Sequence, residues 1–165
     1  MSWRSYCIMF LVFALLPGCN RQVSSKETAI TRIFLADKRL LDGYFSTDIN
    51  RARKSLNAYL GELAMIDVPE NDDARKMFYF GKAVALARLE FLIASKGERP
   101  VNLRWAISVL RRANTSYEKL TERKMAEVLI EIVRGDIRSV SWLKDFDAIS
   151  SDAFAKVAQN DHVIP

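Results

Sequence analysis

The order of hydrophobic and polar residues divides the chain into an apolar N-terminal segment and a longer amphipathic body. Residues 6–16 form an unbroken apolar run of eleven residues. From residue 28 onward, apolar residues recur three and four positions apart, which is typical of helices that bury one face. Strand-like alternation is almost absent, and Gly and Pro stand chiefly between the periodic stretches. The pattern therefore predicts an all-α fold of antiparallel helical hairpins.

The periodic stretches predict six helices and a final short helical turn. Residues 46–48 (Ser-Thr-Asp) supply N-cap oxygens for the second helix, and residues 67–73 form a loop with capping acids before the third. The third helix is apolar on most sides, so we expect it to be central. Gly97 and Pro100 end it. The predicted ranges are 28–44, 49–66, 74–95, 101–120, 121–134, a sixth helix that starts at 135–136, and a turn at 151–159.

Three short segments resemble one another, at 48–56, 102–110 and 136–144. The last two start 34 residues apart, and Ala106 and Ala113 lie seven apart. That period and those small residues resemble the tetratricopeptide repeat. The rest of its signature is absent, and the first two segments start 54 residues apart. A short tetratricopeptide-like solenoid and an irregular helical bundle are therefore the two alternatives.

The N-terminal segment has the features of an export signal. Arg4 precedes the apolar run, and eleven helical residues rise only about 16 Å, roughly half of a bilayer's hydrocarbon core. The run ends in Leu16, Pro17, Gly18 and Cys19. These residues resemble the lipobox of bacterial lipoproteins, which implies that Cys19 is acylated and becomes the first residue of the mature protein. An ordinary secretory signal and an uncleaved short anchor are the alternatives.

The expected organisation follows from this resemblance. It comprises a cleaved signal peptide (1–18), a lipidated Cys with a polar tether (19–27), a helical domain (28–159) and a disordered tail (160–165). In Gram-negative lipoproteins an Asp after the acylated Cys signals retention in the inner membrane. Asn20 stands there instead, which favours the outer membrane in such a cell.

Composition and charge narrow the chemistry that the chain can perform. The 165 residues include one His and two Cys, and 50% of them are hydrophobic. This excludes a disulfide framework and a His/Cys metal site. The sequence has neither a Gly-rich phosphate loop nor a Gly-x-Ser-x-Gly elbow. We expect no cofactor and no metal. The single His, His162, lies in the predicted tail, and Glu90 of the most apolar helix is a candidate catalytic acid.

The positive charge is concentrated between residues 96 and 124. The formal charge of the chain is +5, and this stretch has eight basic residues against three acidic ones. Arg104 and Arg111 are seven apart and share a helix face, with Trp105 and Arg112 beside them. These four residues form a candidate binding surface for an acidic protein, an anionic lipid headgroup or lipopolysaccharide phosphate. A solvated helix face is the alternative, and the exported location disfavours nucleic acid.

Together these features favour a lipid-anchored, periplasm-facing helical adaptor that binds a protein partner in the cell envelope and is not an enzyme. Small all-helical lipoproteins of this outline resemble pilotins, which escort secretins or other outer-membrane components. That resemblance implies an assembly factor as the first alternative. A cell-wall-cleaving enzyme that uses Glu90 is the second.

Overall fold

The structure is a computed structural model that describes residues 33, 36–43, 45–135 and 146–160. Within these ranges the chain forms seven helices and no strand, so the all-α prediction is confirmed. The helices are α1 (36–43), α2 (Ile49–Ala64), α3 (Asp72–Ser95), α4 (Arg104–Arg111), α5 (Thr115–Glu118), α6 (Glu122–Gly135) and α7 (Phe146–Asn160).

Several predictions concern residues outside the described ranges. They are the signal peptide, the tether, most of the sixth predicted helix and most of the C-terminal tail. Of the helices that the structure does describe, none combines the length and the hydrophobicity that a membrane crossing needs.

The start of α2 is where the sequence predicts it. The Asp48 carboxylate accepts a hydrogen bond from the backbone N–H of Arg51 at 2.8 Å. This N-cap satisfies one of the backbone donors that the first turn leaves free. Four of the predicted apolar residues are fully buried, and they form the inner face of the helix: Ala52, Leu56, Tyr59 and Leu63.

Two glycines let neighbouring helices approach α2 closely. A Cβ on Gly43 would lie 2.7 Å from Cγ of Leu56, and a Cβ on Gly81 would overlap the hydroxyl oxygen of Tyr59. Gly43 lies near the end of α1, and Gly81 lies in the middle of α3. The absent side chains therefore let α1 and α3 approach neighbouring positions on the buried face of α2.

Helix α3 is the centre of the bundle, as predicted. It has 24 residues, and it packs against α2, α4, α6 and α7. The Asn71 side chain caps it by accepting from the backbone N–H groups of Asp73 and Ala74, and the helix begins at Asp72, two residues before the predicted start. Its buried residues cover several faces: Ala74, Phe78, Gly81, Ala83, Val84, Ala85, Ala87, Arg88, Leu89, Phe91 and Leu92.

The packing of α3 favours an irregular bundle over a solenoid. In a solenoid each repeat contacts only its neighbours. Here α3 also reaches α7, the last described helix, and the rings of Phe91 and Phe146 lie 4.9 Å apart. The guanidinium of Arg88 is fully buried and donates to the Val133 carbonyl of α6 at 3.3 Å. One helix thus supplies the core contacts for four others.

The prediction of a single helix over 101–120 is wrong. The chain forms α4, breaks at 112–114 and then forms the short α5. The backbone N–H groups of Arg112 and Ala113 bond to carbonyls only three residues back, and the Asn114 side chain accepts from the Ser116 N–H at 2.9 Å. The Asn114 side chain caps the new helix α5 instead of continuing α4, and α4 therefore ends at Arg111.

The prediction of a short final turn is also wrong. Helix α7 has 15 residues and begins at Phe146, whose ring is 4% exposed. Ala153 and Val157 are buried along the same helix. The apolar pattern of this segment is weak, but the helix packs against α3 and α6. Because tertiary packing supplies most of the stability of a helix, α7 is longer than its pattern predicts.

We predict that Gly81→Ala lowers the free energy of unfolding by about 1–3 kcal/mol, because the added methyl displaces Tyr59 from a tightly packed site. Gly61→Ala is the matched control, since no atom outside the neighbouring part of its own helix lies within 4 Å of its Cβ position. Because Gly61 is in the last turn of α2, the substitution should add at most about 0.5–1 kcal/mol. Urea unfolding of the two variants measures both values. Equal effects of the two substitutions would contradict the close approach of α2 and α3.

Candidate functional site

The predicted binding residues lie on the outer side of α4. Ala106, Ile107 and Leu110 are buried against the bundle. At 100° per residue, the opposite arc of about 100° holds Arg104, Trp105, Ser108 and Arg112. Arg111 lies at the edge of this arc, and its Nε is buried. We call Arg104, Trp105, Arg111 and Arg112 the α4 surface.

Trp105 is the most exposed aromatic side chain that the structure describes, at 74%. Its backbone carbonyl accepts from the Ser108 hydroxyl at 2.8 Å, which anchors the first turn of α4. The indole itself lies outside the core cluster. The prediction that Trp105 is available to a partner is therefore compatible with its position.

The basic stretch from 96 to 124 separates into paired and unpaired cations. Arg99 pairs with Glu90, and Arg123 and Lys124 both pair with Glu127. In contrast, the three arginines of the α4 surface form no ion pair with any residue of the described ranges. The positive charge of α4 is thus left uncompensated within the part of the chain that the structure describes.

A carboxylate of α3 positions the beginning of α4. Both oxygens of Glu90 accept from the Arg99 guanidinium at 2.6 Å, and one also accepts from the Asn102 N–H at 3.1 Å. The Asn102 side chain in turn accepts from the Arg104 N–H at 3.1 Å. The hydrogen bond with Glu90 raises the pKa of Arg99 above its ordinary value. These bonds tie the segment before α4 to the central helix.

The same contacts bear on the enzyme alternative. The Glu90 side chain is 18% exposed, and its two oxygens accept three hydrogen bonds. An acid that donates a proton to a substrate needs a free position toward that substrate. Glu90 instead has the contacts of a structural residue, and we call Glu90, Arg99 and Asn102 the clamp.

A cleft of about 480 Å³ adjoins the α4 surface. It lies between residues 99–107, the first residue of α6 and the end of α7. Arg104 belongs to both the cleft and the α4 surface. Sequence reasoning did not find the cleft, because its walls come from segments about fifty residues apart and no motif connects them.

Three further acidic residues of α6 and α7 form ion pairs. Glu127 pairs with Lys124 at 2.7 Å, and both Glu131 and Asp147 pair with Arg134 at 3.2 Å. In the described ranges no group of three or more His, Cys, Asp or Glu residues could hold a metal ion. Leu16, Pro17, Gly18, Cys19 and His162 lie outside those ranges.

Asp37 of α1 is a further half-buried carboxyl. Burial raises its pKa, and the neighbouring Tyr59 hydroxyl lowers it by a smaller amount. Burial and the Asp37 carboxylate raise the pKa of Tyr59. This pair belongs to the contact between α1 and α2, and neither residue lines the cleft.

Comparison of the chain with protein families, with curated proteins and with solved structures gives no match. The most specific arrangement of side chains is an exposed Trp among three arginines that form no ion pair with residues of the described ranges, on a helix that the clamp holds in place.

We predict that Glu90→Ala lowers the free energy of unfolding by about 1–2 kcal/mol, because it removes charge-assisted hydrogen bonds at a largely buried carboxylate. Glu131→Ala is the matched control: Glu131 is 67% exposed and pairs with one arginine on the surface. Its loss should change stability by less than about 0.5 kcal/mol. Chemical unfolding measures the free energy of unfolding of both variants. A Glu90→Ala protein as stable as the control would show that the clamp contributes nothing to the fold.

Proposed function

We propose that this chain is a lipid-anchored, periplasm-facing adaptor that binds an acidic segment of a protein partner through the α4 surface. The observation that carries the proposal is the 74% exposure of Trp105 beside three arginines without ion pairs in the described ranges. Trp and Arg are among the side chains most enriched at the energetic centres of protein interfaces.

The chemistry of these side chains favours an acidic partner. An uncompensated cluster of positive charge steers acidic groups toward it and excludes basic ones. Each guanidinium can bind a carboxylate through two parallel hydrogen bonds. The indole adds a large contact area at a low entropic cost, because it has only two rotatable bonds.

The proposed anchor is Cys19. The lipobox-like segment 16–19 supports acylation at this residue. Two or more acyl chains hold a protein stably at a membrane, whereas one chain gives only marginal binding. Attachment to the membrane also raises the effective concentration of a partner that resides there. An anchored adaptor therefore needs only modest intrinsic affinity at the α4 surface.

Two alternatives differ in what the chain does at the envelope. A pilotin-like assembly factor would use the same anchor and the same kind of surface, with a secretin or another outer-membrane component as its partner. A cell-wall-acting enzyme would need an available acid, and the contacts of Glu90 with Arg99 and Asn102 weigh against this role.

We predict that Trp105→Ala weakens capture of an envelope protein by the purified full chain at least about tenfold, because an interface hot spot contributes roughly 2 kcal/mol or more. Met65→Ala is the matched control, since Met65 is also 74% exposed but lies at the end of α2. The experiment quantifies each captured protein from solubilised membranes at several salt concentrations.

The result that supports the proposal is a protein whose recovery falls with Trp105→Ala and with rising salt, and does not fall with Met65→Ala. If the two variants and the unmodified chain recover the same proteins in the same amounts, the α4 surface is a solvated helix face.

A further inference from the structure

The cleft beside α4 combines an apolar floor with a charged rim. Its floor consists of side chains that are each at most 7% exposed: Val101, Leu103, Ile107, Ala153 and Val157. A volume of about 480 Å³ is within the range of pockets that hold small ligands. The floor provides room for an apolar group, and the rim determines which charges can accompany that group.

Four charged residues line the cleft, and two of them are already paired. Arg99 binds Glu90 at 2.6 Å, and Lys156 binds Asp152 of its own helix at 2.5 Å. The other two are Arg104 and Glu122. Neither forms an ion pair with the other or with any other residue of the described ranges. The rim therefore presents one available cation and one available carboxylate.

This pair of charges selects among possible ligands. An anion would pair with Arg104 and be repelled by Glu122, whereas a cation would be repelled by Arg104. A neutral apolar molecule would leave both charges unpaired while reducing their contact with water, which is costly. A ligand with one positive end, one negative end and an apolar body pairs with both and covers the floor.

We propose that the cleft binds a short peptide with free amino and carboxyl ends and apolar side chains. The peptide's carboxylate pairs with Arg104, its ammonium group pairs with Glu122, and its side chains lie on the apolar floor. Asn102 and Gln159 also line the cleft, and side-chain amides are suited to hydrogen bonds with a peptide bond. This site goes beyond the proposed adaptor function, because Glu122 is not part of the α4 surface.

The test uses the dipeptide leucyl-leucine and two blocked forms of it. N-acetyl-leucyl-leucine lacks the ammonium group, and leucyl-leucine amide lacks the carboxylate. Calorimetric titration into the purified full chain should show binding of leucyl-leucine at millimolar concentration. Each blocked form should bind about tenfold more weakly, because each leaves one charge of the rim unpaired.

Variants assign each charge to its partner. Arg104→Gln should weaken leucyl-leucine binding about tenfold and should not weaken binding of the amide, since the amide lacks the carboxylate that Arg104 binds and its ammonium group is repelled by the Arg104 charge. Glu122→Gln should likewise weaken leucyl-leucine binding about tenfold and should not weaken binding of the N-acetyl form. Arg112→Ala is the control, because Arg112 belongs to the α4 surface and does not line the cleft.

Three results would overturn the proposal. They are no detectable binding of leucyl-leucine, equal binding of the free and blocked dipeptides, and an Arg112→Ala effect as large as that of Arg104→Gln. The outcome is independent of the adaptor function. Trp105→Ala should weaken partner capture and leave dipeptide binding intact, whereas Glu122→Gln should weaken dipeptide binding and leave partner capture intact.

Discussion

The burial of α3 between Gly81 and Leu92 is the constraint on which the rest of the structure depends. A helix that is apolar all round must be covered by other elements. The other described helices include four that pack directly on it, and small residues such as Gly81 and Ala85 leave space for their close approach. The bundle is irregular because one helix is shared by several partners, instead of being stacked between two similar repeats.

The core also determines the position of α4, which carries the candidate site. The eight residues of α4 form a helix too short to be stable alone, so its orientation comes from its buried side and from the clamp. Glu90 holds the segment that leads into α4, and Asn102 bonds to its first residue. These contacts are made on the inner side, and the outer side carries an exposed Trp and arginines that form no ion pair with the residues that the structure describes.

Local patterns in the sequence were enough to predict most of the fold. The apolar spacing predicts the inner face of α2, and Asp48 predicts its start. Gly97 predicts the end of α3, and in the structure it has a positive φ of 68°. The break at Asn114 was missed, because Ala113 and Tyr117 continue the helical spacing across it. The concentration of positive charge and the helical spacing of Arg104 and Arg111 predicted the α4 surface. The clamp and the cleft could not be found this way, since both join residues whose proximity is set only by tertiary packing.

The proposed role of the α4 surface depends on the proposed membrane anchor at Cys19, because it requires that the chain is held at the envelope. Intact mass spectrometry of the membrane fraction, with the unmodified chain and Cys19→Ala expressed side by side, tests this most directly. The account predicts a mass that lacks residues 1–18 and includes acyl chains, absent from the Cys19→Ala sample. A full-length or unacylated product from the unmodified chain would contradict it.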